Sequence, residues 1–155
     1  MKNNIVKIIL GISAVLMVLL FADISNAQPR EARGKKYTKR QVENVIKRVE
    51  TRADNFVDNF DESLDNSNLD GSEREDNLME LARKLENETD ELEREFDKSD
   101  RWIENKPQVQ VVIGLASRIN TTMKNRRFGK KTESNWASLR YELNTLAKIY
   151  NLPGV

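Results

Sequence analysis

The sequence predicts an all-α fold, a four-helix bundle made of two tandem antiparallel helical hairpins. Three observations point there. From Thr38 onward, apolar residues recur at steps of three and four in four separate segments. Each segment opens on a capping residue or on a proline suited to a helix's first turn. Alternating β-branched runs are missing outside Val109 to Ile113, so strands have almost no support.

Residues 1–27 stand apart from the bundle. Lys2 and Lys7 precede an apolar run from Ile8 to Ala22, and a short polar stretch ends in Ser25, Asn26 and Ala27. That order reads as a secretory signal peptide with small residues at the cleavage site. The run is about 15 residues, short of the ~20 that span a bilayer, so an uncleaved anchor is the lesser alternative. With no cysteine near the cut, a lipoprotein anchor is excluded. No membrane span is expected once the signal is removed. Residues 28–37 follow as a basic flexible arm, and 38–155 as the bundle, with hairpins at 38–104 and 105–151.

Thr38 and Gln41 form a capping box, with Tyr37 and Val42 placed as a hydrophobic staple. The first helix then presents Val42, Ile46, Val49, Ala53, Phe56, Phe60 and Leu64 along one stripe. A second capping box, Ser72 with Glu75, starts a helix whose stripe is Leu78, Ala82, Leu85, Thr89, Leu92 and Phe96. Pro107 suits the first turn of a third helix, where a missing N–H costs little. Its stripe is Val109, Val112, Ala116, Ile119 and Met123, with Gly129 as its stop. Thr132 is the expected cap of a fourth helix that buries Trp136, Leu139, Leu143, Leu146 and Tyr150 and ends before Pro153.

The two hairpins also echo each other, with Trp136, Leu139 and Leu143 matching Leu78, Leu81 and Leu85, and Val112 and Leu115 matching Ile46 and Val49. The offsets differ, which places extra helical turns or a longer connector around residues 64–77. The Asp70-Gly71 turn followed by Arg74-Glu75-Asp76, with the run Trp136-x-x-Leu139-Arg140-x-x-Leu143-x-x-Leu146-Ala147-x-x-Tyr150-Asn151, resembles uncharacterised exported helical proteins of bacteria. The resemblance covers most of residues 38–151. It implies a helical fold and an envelope location, and carries no known activity.

Charge is balanced overall but not along the chain. Residues 28–53 carry nine basic and three acidic side chains, residues 54–104 six and nineteen, and residues 105–155 nine and two. The acidic middle is expected to pack against the basic ends, or else to leave one pole for a partner. Nucleic acid is not an expected partner, since no overall basic excess exists.

The stretch Leu64 to Asn77 is reminiscent of a calcium loop. Asn66, Asn68 and Asp70 would supply positions 1, 3 and 5, and Gly71 position 6. Glu73 and Asn77 then stand where an apolar residue and a bidentate glutamate are needed, so a turn is the expected role and no metal or other cofactor is assigned. The chain lacks histidine and cysteine, which removes the commonest nucleophile, base and metal-ligand sets. Glu88, Glu91 and Glu95 are expected on a solvated face with Arg94 and Lys98 beside them.

The densest basic segment is Lys124 to Lys131, in which Lys124, Arg126, Arg127, Lys130 and Lys131 could grip an anionic polymer, or simply offset the dipole of helix three. Arg140 and Tyr141 lie off the apolar stripe and are candidates for surface contacts. Trp136 and Tyr150 read as core, and the Asn87 and Asn120 glycan-type triplets as chance. The expected function is an exported structural or protein-interaction module of the bacterial envelope without catalysis, its partner an envelope protein or a second copy. The alternative is a binding module for a metal ion at 66–77 or an anionic polymer at 124–131.

Overall fold

The computed structural model describes residues 37–155, so the signal segment and nearly all of the arm lie outside the described residues. Tyr37 to Val155 form one compact unit. It contains four helices, α1 (Lys39–Asp65), α2 (Glu73–Lys98), α3 (Lys106–Asn125) and α4 (Lys130–Ile149), with a 3-10 turn at Trp102–Asn105 leading into α3. The all-α bundle of two antiparallel hairpins is therefore the observed fold.

Packing follows the ring α1–α2–α3–α4–α1, and α3 against α4 is its smallest interface. Directions are fixed by contacts at both ends. Lys39 at the start of α1 reaches Ser99 just past the end of α2, its Nζ donating to the carbonyl oxygen at 2.5 Å. Ser63 near the end of α1 meets Thr132 in the first turn of α4, with 2.6 Å between their hydroxyls. At 27 and 26 residues against 20 and 20, the first hairpin is the longer, by roughly 10 Å per helix at 1.5 Å per residue.

The α1 stripe is buried along its whole length, and so are the stripe residues of α4. Two expected stripe positions, Leu78 and Met123, sit at the rim half-buried, while Met79 turns inward. An aromatic cluster fills the end of the bundle at the short connectors. Phe56 stacks on Phe60 and tilts against Trp136, each with centroids 5.1 Å apart, and Phe128 meets Phe60 edge-on at 4.9 Å. At the other end Trp102 and Tyr150 pack edge to face, and the Tyr150 hydroxyl donates to the Trp102 carbonyl at 2.8 Å. Burial pushes the Tyr150 hydroxyl far above its usual pKa.

The helix ends correct several expectations. The Thr38–Gln41 capping box forms in full. At α2 only half of one forms, because the Glu75 carboxylate accepts from the Gly71 N–H at 2.6 Å, not from Ser72. Gly129 does not stop α3, which ends at Asn125; it is the N-cap of α4, with φ +86° and ψ 158°. Thr132 is thereby inside α4, where its hydroxyl donates to the Asn59 carbonyl and ties α4 to α1. Helix α4 ends without help from Pro153. Asn151 takes a left-handed φ of 52°, its N–H reaching Lys148 and the Leu152 N–H reaching Ala147, the paired bonds of a Schellman motif.

Candidate functional site

The loop at 64–77 turns the chain. Asn66 caps α1, its amide donating back to the Glu62 carbonyl at 2.7 Å, and Gly71 adopts the left-handed φ of 70° that the turn needs. The three candidate ligands are not gathered at one point. Asn66 and Asn68 border a depression shared with Lys130 and Lys131, whereas Asp70 borders a separate one with Asp61, Asp65 and Glu75. The acids brought near Asp70 are Asp65 and Glu75, with oxygens within 4.8 Å of one another. Glu75 already serves the Gly71 amide.

The basic connector is pinned by its one aromatic residue. Phe128 is buried against the core, and its carbonyl accepts from the Ser63 hydroxyl at 2.7 Å. Lys124, Arg127, Lys130 and Lys131 are therefore splayed outward at the bundle end. Arg127 reaches Glu133 at 3.3 Å and Lys131 reaches Glu62 at 3.2 Å, through cationic side chains that are largely exposed, and such surface pairs contribute little. Arg126 is half-buried, and Tyr141 is 70% exposed. Arg140 is half-buried and bonds the side chain of Asn120. On α2, Arg94 pairs with Glu91 and Lys98 with Glu95, as expected of a solvated face, but Glu88 instead accepts from Gln108 of α3 at 2.7 Å.

The most unusual electrostatic feature runs between α1 and α2. Glu50, Asp54 and Asp58 on α1 face Glu86, Asp90, Glu93 and Asp97 on α2, and the carboxylates of Glu50, Asp54 and Asp90 approach within 4.8 Å of one another. Lys47 and Arg83 stand only at the margins, paired with Glu43 at 2.8 Å and Asp61 at 3.8 Å. Partial burial, then the neighbouring negative charges, pushes Asp54 and Glu86 above the usual carboxylate pKa. Burial and Glu50 do the same to Glu93, against a smaller opposing pull from Lys47. Like charges in such register repel across the seam and along each helix.

Most of this seam has a sequence signal that could have been read. Glu50, Asp54, Glu86, Asp90, Glu93 and Asp97 each directly follow a stripe residue, which puts them on one flank of each helix. Glu142 is a different case. It is buried on α4 against α1, where one oxygen takes Arg48 at 3.0 Å and Arg52 at 3.7 Å, and the other has no hydrogen-bond partner. Its only hint in the sequence is an acid wedged between the stripe residues Leu139 and Leu143.

No helix among the described residues is long and apolar enough to cross a membrane. No protein-family profile, curated protein or solved structure matches this chain.

Proposed function

We propose that this chain is an exported helical protein-interaction module of the bacterial cell envelope, without a catalytic role, and that the acidic α1–α2 seam is its docking face. The seam carries the reading. Seven carboxylates crowd two flanks that would pair better if mixed in charge, so the hairpin holds repulsion that nothing in its own core requires. A cationic surface laid along the seam relieves that repulsion, and the charge match speeds encounter and fixes register more than it adds affinity. Export is supported by the order of charged, apolar and small residues in positions 1–27. The partner is an envelope protein with a basic face, or a second copy offering the basic α3–α4 side.

Sedimentation of the processed chain at low and at high salt tests this. Association, with itself or with a protein retained from envelope extract, is expected at about 20 mM salt and is lost near 500 mM as the charges are screened. Asp54→Asn combined with Asp90→Asn weakens it. A monomer at every salt concentration that retains nothing from the extract refutes the proposal.

A further inference from the structure

On the side away from the acidic seam, a notch of about 190 Å³ opens in the α3–α4 interface. Asn120, Lys124 and Arg127 form one wall, and Glu133, Trp136 and Arg140 the other. Asn120 is only 5% exposed, and its Oδ1 accepts from Trp136 Nε1 at 3.3 Å and from the Arg140 guanidinium at 3.5 Å. Two donors on one side fix the amide's orientation, so the oxygen faces them and Nδ2 points away. That nitrogen has no acceptor among the described residues. The sealed polar atoms lacking a partner are Asn105 Nδ2 and Glu142 Oε2, so Asn120 Nδ2 is not one of them, and Asn120 borders the notch.

The charged groups of the notch are mostly cationic, set beside an apolar lining of Met123, Trp136 and Ala137. Lys124, Arg127 and Arg140 bring three positive charges and the Asn120 amide a neutral N–H, while Glu133 is the one acid, held by an Arg127 side chain that is 92% exposed and free to turn. No acidic residue occurs from Lys106 through Thr132. A ligand that satisfies these groups must be an acceptor with negative charge and several oxygens, and guanidinium forks suit phosphate oxygens in particular. Arg126, Lys130 and Lys131 continue the positive charge beyond the notch.

We propose that this notch is a binding site for a phosphate group, seated among the side chains of Arg140, Lys124 and Arg127 beside Asn120. The site differs in face and in sign from the acidic seam, so each proposal can fail without the other.

The test uses ¹⁵N-labelled protein purified after expression of the full-length chain, titrated with inorganic phosphate at constant ionic strength. The Asn120 side-chain amide and Trp136 indole signals are expected to move saturably, while the Trp102 indole at the opposite end stays still. Arg140→Gln weakens the apparent affinity by about tenfold, the loss of one charge-assisted contact, and Lys148→Gln on the same helix leaves it unchanged. A second arm uses vesicles of phosphatidylglycerol with phosphatidylcholine, compared with phosphatidylcholine alone. Capture that Arg140→Gln abolishes assigns the phosphate to a lipid headgroup; response to inorganic phosphate without capture assigns a free phosphate. No saturable shift, or shifts and capture equal in Arg140→Gln, overturns the proposal.

Discussion

Replacing Asp54 by Asn is expected to stabilise the protein at neutral pH, although it deletes a charge from a surface helix. Asp54 stands four residues from both Glu50 and Asp58, and each such like-charge pair costs about 0.2–0.5 kcal/mol. Asp90 on α2, within 4.8 Å, adds a comparable contribution across the seam. The relief comes to about 0.6–1.5 kcal/mol, which in a bundle of this size raises the melting temperature by about 2–7 °C. The sign reverses the usual carboxylate case. Burial and neighbouring negative charge raise the folded-state pKa of Asp54, so the fold favours the protonated form. Stability is gained as pH falls from neutrality through that raised pKa, and the gain is complete only below the ordinary pKa of about 4. Glu86 and Glu93 act in the same direction. Glu43 and Glu95, held low by hydrogen bonds to Lys47 and Lys98, lose their pairing only at still lower pH. Wild type should therefore melt higher at mildly acidic than at neutral pH, and the advantage of Asp54→Asn should shrink across the same range. Circular dichroism melts at both pH values check this. An Asn variant less stable at neutral pH, or equally advantaged near pH 4, refutes the reasoning.

Phe56→Ala empties a fully buried site between Phe60 and Trp136 and should cost about 3–5 kcal/mol in urea unfolding, with a strong change in tryptophan fluorescence. Gly129→Ala meets no steric obstacle, yet φ +86° with ψ 158° belongs to a region essentially restricted to glycine, so a loss of about 1–3 kcal/mol is expected from the backbone alone. Glu142→Leu should be near neutral or stabilising by about 1–2 kcal/mol, because it removes a buried carboxylate with one unpartnered oxygen while Arg48 and Arg52, at 47% and 40% exposure, can turn to water. A loss above about 3 kcal/mol in chemical denaturation would show the pair to be essential to the α1–α4 contact.

The apolar stripes were legible because helical periodicity is a local property: Val42 to Leu64 needs no knowledge of the partner helix to be recognised as one face. Caps are local too, but tertiary contacts can outbid them. Thr132 has every local qualification of an N-cap, and the structure uses its hydroxyl on Asn59 and Ser63 of α1, leaving a glycine to start the helix. Asn120 reads locally as a chance glycan triplet, because its partners Trp136 and Arg140 lie on a different helix. Glu142 is hidden for the same reason, since Arg52 and Arg48 lie 90 and 94 positions upstream.

Charge shows most clearly what the linear order conceals. Along the chain it reads basic, acidic, basic, which suggests neutralisation of the middle by the ends. In the fold, α1 is divided lengthwise. Arg48, Arg52, Asn55 and Asn59 lie towards α4, and Glu50, Asp54 and Asp58 towards α2. Arg48 and Arg52 are consequently spent on Glu142, an acid from the basic C-terminal third. The acidic third draws little in return. Its ion pairs with the C-terminal third amount, among the described residues, to Lys131 with Glu62 at the bundle end. Among the described residues, no basic side chain of the second hairpin forms an ion pair with a carboxylate of the α1–α2 seam. The seam's countercharge must come from ions in solution or from another molecule, and only the second supplies register along two helices.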